Sequence, residues 1–376
     1  MKKPGQTRLT GGLLLGLALL LFAFPGESAQ GARQGVSLCA ELIIPSLFPF
    51  FVLSSLLIAT GLAELCARPL GRLLSPLFGT SGAGLSALVL GLVGGYPVGA
   101  RTLAQLAERK ACSPKELRRL SLFCNNCGPA FFVGAAGVGV FGCREAGFLL
   151  LGANLLSAVL LGMILHFFLD SNDRQGDYLY SNLKCLSLSQ ALPDCVSAAF
   201  SSTLGVCAYV ILFSVLTALA DCSGLLPFCV NALAGFLPGE QAPALCRSLL
   251  MGLMEISTGT AALREGAASP AALPLAAFLL GWGGLSVHCQ SLPYWRQAGV
   301  PVGPYLGAKL VQGLLSAGLT ALGASLFPLS LPVMASTASL VAPSLLRREL
   351  LALWALSGIY SLLPKKRGGK AGGKPV

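Results

Sequence analysis

A carboxylate, two adjacent amides and a histidine sit inside apolar stretches of this chain, each beside glycine or proline. Glu255 opens the run Glu255-Ile256-Ser257-Thr258-Gly259. Asn125 and Asn126 precede Cys127-Gly128-Pro129, and His288 and Gln290 follow Gly281-Trp282-Gly283-Gly284. A carboxylate in lipid costs at least about 2–3 kcal/mol on insertion scales, so function is its default reading. Glu255 could accept hydrogen bonds from a solute hydroxyl or amine, or bind a proton or Na⁺. The plainer alternative is that it caps its own turn or pairs with Arg264. Asn donates and accepts, which suits a neutral polar solute such as a base or ribose. Hydrogen bonding between helices is the competing role. Two adjacent amides cannot share one helix face. His288 could carry a proton, its ordinary pKa lying near 6.5, or simply bridge two helices. Thr258 offers a hydroxyl, and Gly259 lets backbone approach closely.

The acid-bearing run has a counterpart. Gly91-Leu92-Val93-Gly94-Gly95-Tyr96-Pro97-Val98-Gly99-Ala100 aligns with Gly252-Leu253-Met254-Glu255-Ile256-Ser257-Thr258-Gly259-Thr260-Ala261 at a constant offset of 161. Apolar segments broken by Gly or Pro at matching places in two halves are the best sequence pointer to a transporter binding site. Gly94, Gly95 and Tyr96 therefore join the candidate set, as backbone amides and one phenol.

Composition says what these residues are embedded in. The chain has 376 residues, 54% hydrophobic and only 11% charged, with mean hydropathy +0.74. Soluble domains carry roughly 25% charged residues, so this is a polytopic membrane protein. The net charge of +11 is clustered at Arg101–Arg119 and in the tail at Lys365, Lys366, Arg367, Lys370 and Lys374. Such clusters mark cytoplasmic loops and contact with anionic lipid, not nucleic acid. Thirteen Cys are scattered. Cys124 and Cys127 form a C-x-x-C, but no second pair with ligand spacing accompanies them, so neither metal nor redox chemistry is expected. G-x-x-x-x-G-K-[ST], H-E-x-x-H and G-x-S-x-G are all absent, and the chain is not read as an enzyme.

Apolar runs near 20 residues count as spans. They fall at about 9–24, 46–63, 118–140, 146–169, 197–220, 271–292, 304–327 and 334–362. The first doubles as a signal peptide or anchor. Residues 36–45 read as a helix along the membrane surface ending at Pro45. Segments 83–108 and 245–266 are also apolar, but 83–108 has basic flanks at both ends, Arg68 and Arg72 before it and Arg109 to Arg119 after. A full span would put one flank outside, so a re-entrant hairpin is the better reading. By the same logic 245–266 is a second hairpin. The expected fold is all-α: about eight spans plus two hairpins in an inverted repeat, with both termini cytoplasmic if the first span is not cleaved. Leu151-Gly152-Ala153-Asn154-Leu155-Leu156 also parallels Leu306-Gly307-Ala308-Lys309-Leu310-Val311. The expected organisation is an N-terminal anchor or span (1–35), a first repeat (36–169), a cytoplasmic linker (170–195), a second repeat (196–330), and a last helix with a basic tail (331–376).

Phe48-Pro49-Phe50-Phe51-Val52-Leu53, the Gly91–Arg101 run, Phe123-Cys124-Asn125-Asn126-Cys127-Gly128-Pro129-Ala130-Phe131, Glu255–Gly259 and Gly283–Gln290 together resemble the YlbJ family of sporulation integral membrane proteins. That family is grouped with "nucleoside recognition" or Gate-domain membrane proteins. These are similar to concentrative nucleoside transporters and to the membrane part of ferrous-iron uptake proteins. The resemblance implies a spore-forming bacterium and a part in spore cortex or envelope formation. It names no substrate. The reading that follows is a transporter-like protein in the cell membrane binding a small polar solute, such as a nucleoside. No resident cofactor is expected, and Na⁺ or H⁺ would be the coupling ion. The bilayer and the solute are its partners, and a homo-oligomer is compatible with the sequence. The rival is a non-transporting structural protein that organises spore-envelope assembly.

Overall fold

The structure is a computed structural model and describes residues 4–62, 75, 77–168 and 186–327. The expected last span, most of the linker and the basic tail lie outside the described residues. Within them every regular element is a helix. Helix α1 (Pro4–Ala23) ends at Phe24, where the chain bends by 99° into α2 (Pro25–Leu38). Pro25 stands at the start of α2, where a missing N–H leaves no bond unmade. A π turn, Cys39–Ile43, then leads directly into α3 (Ile44–Ala59). The helix expected to end at Pro45 therefore continues through it. Its predecessor α2 is mostly exposed but packs one narrow face, Gly31 and Gly35, against the protein: a Cβ on Gly35 would lie 2.7 Å from the Cα of Ile211.

The segment 83–108 folds as two helices, α4 (Gly82–Gly94) and α5 (Val98–Glu108), joined by the turn Gly95-Tyr96-Pro97. Ser81 caps α4 by accepting from Gly84 N at 3.1 Å. Its own amide and hydroxyl donate to Glu116 Oε1 of α6 (Pro114–Ser121), at 2.6 and 2.8 Å. The cap thus ties the first arm of the hairpin to the next helix. After α6 the chain loses helical form until a π-helical segment, Phe131–Val140. The expected span 118–140 is therefore broken around Asn125-Asn126. Helix α7 (Arg144–Phe168) follows, then α8 (Leu188–Cys222) and α9 (Leu225–Ala234).

The second half repeats the plan. Helix α10 (Ala242–Met254) turns at Glu255 into α11 (Ile256–Ala262). Next come α12 (Ala272–Trp282), α13 (Gly284–Gln297) and α14 (Val302–Leu326). Gly283 and Gly284 both hold φ in the left-handed region, at +93° and +76°. Only glycine adopts this freely, and it interrupts the span between α12 and α13. Arg247 on α10 makes a two-bond ion pair with Asp221 at the end of α8, at 2.9 and 2.7 Å.

Among the described residues, four helices are long and apolar enough to cross a membrane: α7, α8, α12 with α13, and α14; the bent pair α1–α2 would make a fifth. This is fewer than the eight expected because α3 has only 16 helical residues, the 118–140 span is broken, and the last lies outside the described residues. Their faces are reversed relative to a soluble bundle. Helix α7 buries Asn154 and Ser157 while exposing Phe148, Leu156, Ile164 and Phe167. Helix α14 buries Lys309, Gln312, Ser316 and Thr320 while exposing Leu310, Val311, Leu314 and Leu322. Apolar out and polar in is the arrangement lipid demands.

The halves share their cores. One cluster joins Leu85, Leu103 and Phe123 of the first to Trp295 and Tyr305 of the second. Another joins Tyr96, Phe132 and Leu150 to Ile256, Leu279 and Leu280. Close backbone contact makes this packing exacting. A Cβ on Gly91 would sit 1.8 Å from the carbonyl oxygen of Cys124, whereas Gly152 has nothing within 4 Å of its Cβ position. Gly91→Ala is expected to cost about 1–3 kcal/mol by overpacking. Gly152→Ala, on an open helix face, should be neutral or stabilising by up to about 1 kcal/mol. Thermal unfolding of both purified variants checks this; equal midpoints would mean that the hairpin does not seat on Cys124.

Candidate functional site

Each hairpin tip sits on the helix break of its own half. In the first half, a Cβ on Gly95 would fall 2.8 Å from the backbone nitrogen of Gly128, and one on Gly99 2.2 Å from the carbonyl oxygen of Cys124. In the second half, a Cβ on Gly284 would meet the carbonyl of Gly252 at 3.0 Å and the backbone nitrogen of Ile256 at 3.2 Å. Trp282 Nε1 donates to Leu253 O at 3.4 Å. The tips and breaks also cross between halves. Tyr96 OH donates toward Leu280 O and Gly281 O, both at 3.2 Å, and its ring lies over Gly283. Leu280 and Gly281 close α12, so the phenol satisfies carbonyls that the break leaves without helical donors.

The first break is held by α13 and α14. Lys309 Nζ donates to Asn125 O at 2.8 Å and to Gln312 Oε1 at 2.7 Å. Gln312 Nε2 donates to Asn126 Oδ1 at 2.6 Å, and Asn126 Nδ2 donates to Phe123 O at 2.8 Å. Asn125 Nδ2 donates to Ser291 Oγ and to Tyr305 OH, each at 3.1 Å. The Tyr305 hydroxyl also lies 3.2 Å from His288 Nδ1. The His288 ring stands edge-on between Trp282 and Tyr305. Lys309 Nζ is 5.3 Å from the centroid of the Tyr96 ring. Trp282 is half-buried and the other side chains are buried, Asn125, Asn126, Ser291, Tyr305, Lys309 and Gln312 wholly so.

The residues named from sequence thus divide into groups. Tyr96, Asn125, Asn126 and His288 come together through Lys309, Gln312 and Tyr305. Gly94 and Gly95 shape the first tip. Gly259 serves the crossing of the hairpin arms: its Cβ would fall 2.1 Å from Gly252 Cα, and Ser248 Oγ donates to its carbonyl at 2.6 Å. Glu255 is 1% exposed and caps α11, its Oε2 accepting from Thr258 N at 2.8 Å, while Thr258 Oγ1 donates to Glu255 O. Arg264 does not pair with it but bonds Gly139 O. Among the described residues Gln290 bonds locally, Nε2 to Ser286 Oγ at 3.1 Å. Cys124 and Cys127 are buried free thiols, and no group of three metal-binding side chains exists among the described residues.

Sequence reasoning passed over Lys309, Gln312, Tyr305 and Ser291. A signal was present. Lys309 is the only charged residue between Val302 and Leu326, and Tyr305, Lys309, Gln312, Ser316 and Thr320 recur at steps of three and four. That spacing places one polar stripe along one helix face.

Two buried atoms in this cluster have no partner among the described residues: Asn125 Oδ1 and His288 Nε2. They are an acceptor and a ring nitrogen beside the paired tips and breaks, and either can meet a polar solute or a water.

Comparison with known proteins agrees with the family resemblance drawn from the motifs. Residues 41–144 match the Gate family, described as "Nucleoside recognition". The chain is 28% identical over 331 residues to the sporulation integral membrane protein YlbJ of Bacillus subtilis strain 168, covering 83% of this chain and 81% of that protein. Its fold is similar to that of CNTnw in an inward-facing substrate-bound state, with TM-score 0.50 and 15% identity over 89% of this chain and 86% of that one. The chain is therefore a multi-pass integral membrane protein of transporter-like, concentrative-nucleoside-transporter fold.

The network makes a stability prediction. Gln312→Leu removes a donor from Asn126 Oδ1 and an acceptor from Lys309, leaving buried polar atoms unmatched at about 1–3 kcal/mol. Gln290→Leu, which loses one local bond, should cost about 1 kcal/mol or less. Chemical denaturation of the two variants in matched detergent measures the difference; a Gln290→Leu effect as large as that of Gln312→Leu would refute the network.

Proposed function

We propose that this protein binds a small polar solute of nucleoside type at the junction of hairpin tips and helix breaks, and carries it across the cell membrane during spore formation. The likeness to YlbJ supports the link to sporulation, in spore cortex or envelope formation. The Gate match and the transporter-like fold support the solute class. The single observation that carries the site is the pair of buried atoms left unpartnered among the described residues, Asn125 Oδ1 and His288 Nε2, on two side chains that share the Tyr305 hydroxyl. An amide acceptor beside an imidazole and a wall of Tyr96, Trp282 and Tyr305 is suited to a ring that both stacks and hydrogen-bonds.

In this reading Glu255 acts mainly as a positioning residue. By capping α11 it fixes the second tip, which seats the break at Gly283-Gly284 and so places His288. Asn126 likewise acts through Gln312, and Asn125 is the amide that faces the solute. The basic clusters put both termini in the cytoplasm if the first span is retained.

A thermal-shift screen tests the reading, using uridine, adenosine, free bases, amino acids and dipicolinate. A ligand at about 100 times its Kd should stabilise the wild type by roughly 2.7 kcal/mol. Asn125→Ala and His288→Phe should each lose that shift while still unfolding cooperatively. A shift that survives in both variants would move the site elsewhere. No shift from any compound in well-folded protein would favour the structural role in spore-envelope assembly.

A further inference from the structure

Lys309 is wholly buried, and among the described residues no carboxylate pairs with it. The titratable groups facing it are Tyr96 from the first tip, Cys124 and Cys127 from the first break, His288 from α13 and Tyr305 from its own helix. None of them is a counter-ion. Its ammonium contacts instead a backbone carbonyl at a helix break, Asn125 O, an amide oxygen, Gln312 Oε1, and the face of an aromatic ring, Tyr96. Neutral carbonyl oxygens at an unwound membrane helix are the ligands that coordinate Na⁺ in secondary transporters. An aromatic face likewise favours a cation. The ammonium of Lys309 thus sits among ligand types that suit a monovalent cation.

We propose that Lys309 is a tethered cation: its ammonium fills the place at the first break that a coupling Na⁺ would take, so that this protein works without Na⁺ and exchanges a proton at Lys309 instead. The inference rests on the solute-binding reading above and deepens it by naming the ion.

A second observation supplies the proton's route. The face of α14 that carries Lys309 continues with Gln312, Ser316 and Thr320, all wholly buried. Among the described residues Ser316 Oγ and Thr320 Oγ1 have no partner, and neither do the two amide atoms of Asn154. Asn154 lies on the buried face of α7, which packs along α14. Buried polar atoms of this kind are completed by water. Water joining these atoms would connect Lys309 toward the end of α14. The repeat confines the device to one half, because Asn154 is the residue that aligns with Lys309.

The test needs no solute. Purified wild type and Lys309→Ala are unfolded thermally in NaCl, KCl and choline chloride, each at about 0.15 M to hold ionic strength constant. The wild type should unfold at one temperature in all three salts. Lys309→Ala, which frees the two oxygens, should gain a Na⁺-specific rise of roughly 2 °C or more over choline. Lys309→Met, which keeps the stem in place, should show no such rise. A wild type stabilised by Na⁺ as much as the alanine variant overturns the proposal, as does an alanine variant indifferent to Na⁺. Should that variant not fold, binding of radiolabelled Na⁺ to the folded wild type decides: saturable retention overturns the proposal and none supports it. These outcomes stand apart from the nucleoside screen, so either reading can fail alone.

Discussion

A helix interrupted inside a bilayer leaves carbonyl and amide groups that no solvent can reach, and each one left bare costs several kcal/mol. This constraint organises the whole molecule. Both breaks are covered by protein, and the covering is specific. The first hairpin closes over Cys124–Gly128, with glycines wherever a side chain would collide. Tyr96 reaches across to the carbonyls that end α12, and Lys309 reaches back to the carbonyl of Asn125. The hairpins, the broken spans and α14 are therefore one structure, in which removing any piece exposes backbone in another.

The same constraint couples the two halves. Tyr96 belongs to the first hairpin yet bonds the second break, while Lys309, Gln312 and Tyr305 belong to the second half yet hold the first break. A movement of one half relative to the other must exchange these bonds for others or for water. Under the proposed solute-binding function, that exchange is where opening to one side would be felt. Twofold likeness of the halves does not extend to chemistry. The first tip contributes a phenol and the second a carboxylate; helix α7 contributes Asn154 where α14 contributes Lys309.

The breaks and tips were legible in the sequence because glycine, proline and isolated polar residues stand out against apolar runs. Gly95-Tyr96-Pro97, Glu255, Asn125-Asn126 and Gly283-Gly284 all lie at interruptions of helix. The continuous helix through Pro45 was not legible, since the chain widens into the π turn Cys39–Ile43 just before the proline, and no local pattern announces such a turn. Nor was the role of Glu255 settled: a lone acid in an apolar segment looks the same whether it caps a helix or meets a solute. Lys309 was hidden differently. In a long apolar helix a single lysine can snorkel to the membrane surface, and only the fold reveals that this one points inward.

The sequence alone determined that the chain lives in a membrane, because so apolar a composition cannot be soluble, and it marked the breaks at Gly95-Tyr96-Pro97, Gly128-Pro129 and Gly283-Gly284, because glycine and proline act locally. Tertiary structure alone decided what each break is bonded to. Partners such as Asn125 and Lys309 are 184 residues apart, and no local pattern encodes which distant side chain will satisfy a buried carbonyl. That choice is made when the halves pack, by the requirement that polar groups removed from water find one another.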